Sequence, residues 1–438
     1  MKTQLLFCLC LVCGVSYAQQ AQLQYFRPND KTGLNVFETT KPDTIPYTGF
    51  RIRIGGNFTQ DLQALRHENS ATPVIEDDVN INELVSLTNG FNLAMANLNI
   101  DAQLHDGIRM NLTMYLSSRN HEDAWVKGGY VQFDKLGFLR SAALDSLMRH
   151  LTIKIGDYEI EYGDQHYRRS DGGNTIFNPF VENYIMDAFT TEIGGDVYFH
   201  AENGFFALVG ATNGQLNPTV RKSTRIDTVT GERNTYTPAF HGKLGFDKQF
   251  TGDLRFRVTG SFYTIKSSSN STLFFGDRAG SHYFFVLENT LATSADNSGS
   301  GRFNPQFNDQ VTTFMINPFL IYRGLELFGT YEVAKGRMVT EVEKRTATQY
   351  AVDLIYRFPA ASRNFWIGGR YNTVTATLPF NPNNIRIQRM TGSIGWFATK
   401  HIMVKAEYVN QEYEDFPSDD IRAGGKFDGV MVQAAIAF

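Results

Sequence analysis

Cysteine is almost missing from this 438-residue sequence. Its three cysteines, Cys8, Cys10 and Cys13, all lie close to the start of the chain. A chain that is cleaved beyond Cys13 would have no thiol at all. For such a mature protein the sequence excludes a disulfide scaffold, a thiol nucleophile and a cysteine-ligated metal site.

Residues 1–18 have the pattern of a secretory signal peptide. A lysine is followed by an apolar stretch over residues 5–15 and by a small-x-small cleavage site that ends at Ala18. We therefore expect export and cleavage after Ala18. A lipid anchor at Cys13 is a weaker alternative, because the preceding residue is valine rather than the small residue usual at that position.

Long apolar runs and an excess of one charge are also missing. After Ala18 no stretch approaches the roughly eighteen consecutive apolar residues of a membrane helix, and the mean hydropathy is −0.28. With 41 basic and 45 acidic residues the formal net charge is −4, which gives no electrostatic argument for nucleic acid as a partner. An exported chain of this kind can still cross lipid as a closed β-barrel, because a closed barrel satisfies every backbone polar group.

Aromatic residues and glycine are abundant. The sequence has 35 Phe and 20 Tyr beside 3 Trp, and 38 Gly beside 13 Pro; Phe and Tyr favour strands. Apolar and polar residues alternate in residues 108–116, 254–262 and 346–358. This period of two indicates a sheet with one wetted face. The sequence therefore predicts an all-β fold, a transmembrane antiparallel β-barrel.

The last ten residues also alternate and end on Phe438. In a soluble sandwich an exposed terminal strand of this type would promote aggregation. A final strand that ends in phenylalanine resembles the C-terminal assembly signal of Gram-negative outer-membrane barrels. We therefore predict Phe438 to be that signal, and the barrel assembly machinery to be a partner.

Sixteen predicted strands fit the alternation of short turns at one end and longer loops at the other that such a barrel requires. Residues 135–149, a long connection at the turn end, have leucines at helical spacing and are predicted to hold a short helix. An extra hairpin in residues 267–310 would give eighteen strands, and either number leaves an open aqueous lumen. The predicted strands are residues 50–60, 91–103, 107–116, 125–134, 150–159, 190–200, 204–213, 237–248, 253–266, 311–322, 325–337, 346–358, 364–376, 386–397, 401–411 and 428–438.

The predicted organisation has three parts: the signal peptide at residues 1–18, a polar N-terminal extension at 19–49, and the barrel at 50–438. The extension is too short to be the plug domain of an energised transporter. The sequence does not decide whether it is a periplasmic extension or tucks beneath the pore.

Residues 151–163 and 245–263, together with the terminal phenylalanine strand, resemble the superfamily of phosphate-selective and related trimeric porins. The resemblance covers roughly residues 50–438 and consists of the general residue pattern of the strands. It implies a homotrimer of passive channels in which the third outer loop folds into the lumen. The basic ladders of phosphate-selective members have no counterpart here, so the resemblance does not imply phosphate specificity.

The third outer loop is the densest polar stretch of the sequence, and we take it as the candidate pore constriction. If Arg168 and Arg169 face the pore, their field would attract permeating anions. If they pair with Asp164 and Asp171, they only fold the loop; the sequence leaves both interpretations open. The constriction candidates are Asp164, His166, Arg168, Arg169 and Asp171.

Strand parity assigns further charged residues to the lumen, where bases slightly outnumber acids and a weak anion preference follows. Most of these residues are expected to pair across strands, and a register error of one residue would reverse the assignment of a strand. The lumen-facing candidates are Arg51, Arg53, Arg109, Arg255, Arg257 and Arg370, with Lys154 among the other bases.

Together these features predict an outer-membrane porin for passive diffusion of small hydrophilic solutes or ions, in contact with outer-membrane lipid. We expect no catalytic residues, no cofactor and no metal site. An outer-membrane hydrolase is the first alternative, although no histidine lies in a recognisable nucleophile motif. The second is a structural or adhesive barrel whose outer loops bind a partner.

Overall fold

The computed structural model describes residues 22–39, 41–92, 95–117, 124–171, 173–228, 230–268 and 270–438. The signal peptide predicted at residues 1–18 lies outside the described residues. Within them, no helix is long and apolar enough to cross a membrane.

Sixteen antiparallel strands form one closed barrel. A short strand at Gly90–Asn92 continues the pairing of β2 with β1, and a small hairpin at Ile75–Glu76 and Val79–Asn80 lies in the first loop. The barrel strands are β1 (Arg51–Glu68), β2 (Met95–His105), β3 (Ile108–Ser117), β4 (Ala124–Phe133), β5 (Leu151–Glu159), β6 (Thr191–His200), β7 (Phe205–Thr212), β8 (Ala239–Gln249), β9 (Leu254–Ile265), β10 (Gln310–Tyr322), β11 (Leu325–Arg337), β12 (Arg345–Phe358), β13 (Phe365–Thr377), β14 (Asn384–Phe397), β15 (Ile402–Glu414) and β16 (Lys426–Ala437).

The barrel closes where β1 pairs with β16, from Asn57 opposite Ala437 to Glu68 opposite Lys426. The sixteen predicted strands are confirmed, although β1 is longer than expected and ends at Glu68. Both chain ends of the barrel lie at the end with the short turns, which we call the turn end; the opposite end is the loop end. The predicted helix is also confirmed as α1 (Ala142–Met148), preceded by a 3-10 turn at Gly137–Leu139.

The two faces of the wall have opposite character, as the alternation predicts. On β12, Tyr350 and Leu354 point outward and are each 51% exposed, whereas Gln349 and Asp353 point inward and are fully buried. The outward face therefore offers apolar side chains to lipid, and the inward face carries the polar groups.

Phe438 completes the closure. Its backbone N–H donates to the Gly56 carbonyl, and its terminal carbonyl accepts from the Gly56 N–H, both at 3.0 Å. A Cβ at Gly56 would lie 2.8 Å from the Asn97 carbonyl oxygen. Glycine is needed there because the terminal residue and β2 both approach the backbone of β1 closely.

Residues 160–190, the inner loop, fold into the lumen as expected and include 3-10 turns at Gln165–Arg168 and Thr175–Phe177. They lie against the far wall, where Phe177 and Phe180 pack with Trp366 and Phe397. The loop thus has an apolar core of its own on one side of the barrel.

Polar wall residues bind the backbone of the inner loop. Glu407, Asn372 and Gln349 accept hydrogen bonds from loop N–H groups at 2.8, 2.7 and 2.9 Å. Arg370 and Arg389 donate to loop carbonyls at 3.0 and 2.7 Å. These contacts satisfy a buried irregular backbone that has few ladder partners of its own.

Residues 266–309, the second inner loop, also enter the lumen from the loop end. The eighteen-strand alternative is wrong: in the part of this loop that the structure describes no strand forms. Four residues of this loop are buried in a second apolar cluster, which also contains side chains of the inner loop: Leu273, Phe274, Tyr283 and Val286. Their apolarity therefore reflects packing inside the barrel and not exposure to lipid.

Residues 22–39, the N-terminal segment, cross the turn end of the lumen and include a 3-10 turn at Lys31–Gly33. The Gln24 N–H donates to Gln103 at 3.0 Å, and the Lys31 N–H donates to the Lys400 carbonyl at 2.8 Å. The segment therefore reaches from the β2–β3 turn to the β14–β15 turn. The sequence left its position open, and the structure places it across the turn end of the lumen.

Candidate functional site

A polar cavity of about 240 Å³ remains where the inner loop leaves the wall of β1–β6 uncovered. We call it the side cavity. The inner loop borders it with His166, Tyr167 and Asn174, and the N-terminal segment borders it with Phe26 and Glu38. The far wall carries the loop, so the water-accessible part of the lumen lies off-centre.

A second space of about 1050 Å³, the turn-end vestibule, lies between the N-terminal segment and the β4–β5 connection. Phe37, Glu38 and His200 line both spaces. The side cavity and the vestibule are therefore adjacent, with these three residues between them.

His166 is the one constriction candidate that lines the side cavity in the described part of the chain. It lies 3.0 Å from the carboxylates of Glu159 and Glu161, and Lys243 donates to Glu161 at 2.6 Å. Burial alone would lower the pKa of His166, but Glu161 and Glu159 raise this pKa to about 9. The imidazolium is therefore charged at neutral pH and balances two carboxylates at the cavity wall.

We expect His166→Gln to destabilise the barrel at neutral pH and to have a smaller effect on its stability at alkaline pH. Because the folded-state pKa lies above the free value of 6.5, the stabilisation is fully present below that pH and is lost as pH rises through about 9. The measurement is thermal unfolding of parent and variant at pH 6 to 10. A stability difference that stays constant across this range would contradict the charge assignment.

Arg168, Asp164 and Asp171 are buried and held in ion pairs. Arg168 donates to Glu326 at 2.6 Å, Asp164 accepts from Arg257 at 2.8 Å, and Lys127 reaches Asp171 at 2.7 Å. Opposite charges from the wall therefore hold these three loop residues in place. None of the three borders the side cavity among the described residues.

Arg169 joins the two inner loops. Its guanidinium pairs with Asp187 at 2.7 Å, with Asp171 at 3.0 Å and with Asp277 of the second inner loop. The guanidinium also lies 3.9 Å from the ring centre of Phe189. Of the two interpretations of the loop arginines, these contacts favour pairing, with Asp187 and Asp277 as additional partners.

The lumen-facing candidates fall into two groups. Arg370 pairs with Asp353 at 2.7 Å, beneath the inner loop. Arg257 pairs with Asp164 and Glu38, and Arg255 with Asp247 at 2.6 Å. These three bases fix the inner loop and the N-terminal segment.

The remaining candidates lie on β1 and β3. Arg53 and Arg109 line the side cavity, and Arg53 pairs there with Asp101 at 2.7 Å. Arg51 is exposed at the turn end of β1.

Sequence reasoning missed the aromatic lining of the side cavity. Tyr130, Tyr158 and Tyr198 surround Lys154, with ring centres 4.9, 4.8 and 5.8 Å from its ammonium nitrogen. The alternation of β4, β5 and β6 could have placed these tyrosines inside. It also missed Phe26 and Phe37, although two phenylalanines in a polar extension are a signal for burial.

No group of three or more metal-ligating side chains is placed to hold a metal ion in the described ranges. His166 has carboxylates on both sides, but Asp164 and Asp171 of the predicted cluster are turned to Arg257 and Lys127.

No protein-family model and no curated protein matches the sequence. Solved structures do match. The anion-selective porin from Comamonas acidovorans superposes with a TM-score of 0.52 at 10% identity, over 89% of this chain and 100% of the porin chain. The outer membrane channel DcaP of Acinetobacter baumannii gives 0.50 at 10% identity, over 90% and 99%. Salmonella typhi OmpF, in complex with daunomycin, gives 0.50 at 11% identity, over 90% and 99%.

Identities this low concern the fold alone. The shared feature is the closed antiparallel barrel. The chain therefore has the barrel fold of the Gram-negative outer-membrane porins and channels.

Proposed function

We propose that this chain is an outer-membrane porin through which small hydrophilic solutes diffuse passively, without a catalytic role. The observation that carries the proposal is the polar side cavity, which lies adjacent to the turn-end vestibule, with Phe37, Glu38 and His200 between them. The two inner loops and the N-terminal segment fill the rest of the lumen. The pathway is therefore narrow and runs along β1–β6.

Conductance in planar bilayers tests this proposal. The purified full-length barrel should insert in discrete steps of small unit conductance, because most of the lumen is occupied. A barrel that inserts, shown by its heat-modifiable mobility on gels, but produces no conductance steps would contradict the porin assignment and favour the hydrolase or adhesive alternative.

We further propose that the turn end faces the periplasm. Because the sequence has no cysteine beyond Cys13, a single introduced cysteine is a unique label. Arg221→Cys lies in an exposed part of the loop end, and Ala361→Cys in an exposed turn. An impermeant maleimide should label position 221 on intact cells and leave position 361 unlabelled until the outer membrane is opened. Labelling of position 361 on intact cells would reverse the orientation.

The resemblance to trimeric porins implies a homotrimer, which stays a proposal for this chain. Light scattering of the detergent-solubilised protein, corrected for bound detergent, measures the protein mass directly. Three chains per particle would support the trimer, and one chain per particle would contradict it.

Phe438→Ala should lower the amount of barrel assembled in the outer membrane far more than it lowers the stability of a folded barrel. The Phe438 ring is 51% exposed on the outward face, and full burial of such a ring contributes only about 2–3 kcal/mol. The backbone pairing with Gly56 does not depend on the side chain. Unchanged yield in the outer membrane would rule out the assembly-signal role and the proposed partnership with the assembly machinery.

A further inference from the structure

We propose that the side cavity binds a small organic carboxylate with a flat apolar body, held between Arg109 and Lys154. The inference relies on the proposed function only for the route by which the ligand arrives. Binding itself can be measured on a barrel that does not conduct.

Unbalanced charge is the first observation. Of the other cations at the side cavity, Arg53 pairs with Asp101 and Lys127 with Asp171, each at 2.7 Å. His166 lies between two carboxylates, and Arg27 donates to carbonyl and amide oxygens. Arg109 and Lys154 have no carboxylate partner among the described residues. Arg109 is buried, and a buried charge is costly unless it is paired. Lys154 is partly buried and adds a second positive charge without a carboxylate partner to the same wall.

The register brings the two cations to the same level of the wall. Arg109 lies opposite Gln132, and Gln132 lies opposite Lys154, on three neighbouring strands. Adjacent strands are spaced by about 4.8 Å, so the two Cα atoms are about 10 Å apart. An anionic group that enters between the long side chains can contact both.

Arg109 retains unused donor capacity. It is only 4% exposed, and its buried Nε–H has no hydrogen-bond acceptor. Its Nη2 donates to Gln132 at 2.7 Å and its Nη1 to the Tyr130 hydroxyl at 3.2 Å, both neutral acceptors. A carboxylate matches the planar fork of a guanidinium and would replace these weaker partners.

The aromatic side chains of the side cavity favour a ligand with a flat apolar body. The ring centre of Phe26 lies 4.3 Å from the Arg109 guanidinium. The ring of Tyr130 is near both cations, 4.9 Å from the Lys154 nitrogen and 5.6 Å from the Arg109 guanidinium. Ligand sites commonly combine apolar and aromatic walls with a few placed polar groups, in cavities of about 300–1,000 Å³. A cavity of about 240 Å³ therefore favours a small ligand.

Titration calorimetry on the purified full-length barrel in neutral detergent tests the site. We expect benzoate to bind, benzyl alcohol of similar size but without charge to bind at least about tenfold more weakly, and inorganic phosphate to bind more weakly than benzoate. Phosphate binding tighter than benzoate would overturn the assignment of a flat carboxylate. Equal binding of benzoate and benzyl alcohol would overturn the role of charge.

Variants locate the site. Arg109→Gln and Lys154→Gln should each weaken benzoate binding by about tenfold, the usual effect of one charge-assisted hydrogen bond. Lys335→Gln, an exposed charge on β11, is the matched control and should change nothing. Heat-modifiable mobility identifies folded variants. Unchanged binding in folded Arg109→Gln and Lys154→Gln would overturn the proposal.

Conductance separates this inference from the proposed function. If the barrel conducts and binds benzoate, chloride current should fall as benzoate is added, and this block should be lost in Lys154→Gln. A barrel that binds benzoate without conducting would refute the porin and retain the site. A barrel that conducts but gives no binding heat and no block would refute the site and retain the porin.

Discussion

Deletion of residues 22–39 should raise the unit conductance of the barrel several-fold. The N-terminal segment crosses the turn end, and its removal would join the vestibule to the side cavity over their full width. Residues 19–21 remain in this variant, so the predicted cleavage site after Ala18 keeps its flanking sequence. Single-channel recording on the purified variant measures the effect.

The N-terminal segment is bound firmly to the barrel. We therefore expect a large change in unit conductance only when the segment is removed. Leu23, Tyr25 and Phe37 are buried, and full burial of such side chains contributes about 2 kcal/mol each. The Glu38 carboxylate also accepts two hydrogen bonds from the Arg257 guanidinium, at 2.7 and 2.8 Å. Spontaneous release of the whole segment is therefore rare.

A replacement of residues 22–39 by a glycine-serine chain of equal length is the matched control. It keeps the chain length and removes the buried side chains, so its conductance should rise as in the deletion. If both variants conduct like the parent, the segment does not limit the pore. The barrel itself should persist in both, because no strand pairing involves these residues.

Arg169→Glu should release both inner loops. The substitution places a carboxylate among Asp171, Asp187 and Asp277, which now surround a guanidinium. Removal of one partner from a buried ion pair typically destabilises by about 3–5 kcal/mol, because the remaining charges stay buried and unpaired. We expect noisy, enlarged conductance and rapid trypsin cleavage inside residues 160–190.

Arg386→Gln is the control for Arg169→Glu. Arg386 also pairs with a carboxylate, that of Glu414, but this arginine is half exposed at the loop end. Exposed pairs contribute about 0–1 kcal/mol, so the control should conduct and resist trypsin like the parent. Arg169→Glu with parental conductance and parental resistance to trypsin would show that the network does not hold the loops.

The strand map could be predicted because lipid and lumen impose opposite demands on alternate residues. The face assignment on β12 shows this: Tyr350 and Leu354 must be apolar towards lipid, while Gln349 and Asp353 are free to be polar. The same rule failed for Leu273 and Phe274. There the apolar environment is the interior of the lumen, which alternation cannot distinguish from lipid.

The pore lining could be predicted only in part. Strand parity placed four arginines on the inner face: Arg53, Arg109, Arg257 and Arg370. From parity alone, every inward-facing residue is expected to line the pore. Arg257 and Arg370 instead bind the N-terminal segment and the inner loop. The pair between Arg168 and Glu326 joins residues 158 positions apart, and no local pattern indicates which of many acids such an arginine will meet.

The resemblance to trimeric porins implied that a loop enters the lumen. The sequence by itself determined the closed barrel, the positions of its sixteen strands, with an extra hairpin left open, and the alternation of inward and outward residues. These follow from the period of two and from the turn signals, which act over a few residues. Only the tertiary structure decided where within the lumen the path lies. The inner loop packs its apolar side chains against Trp366 and Phe397 on the far wall, and this leaves Arg109 and Lys154 on the uncovered wall facing the cavity.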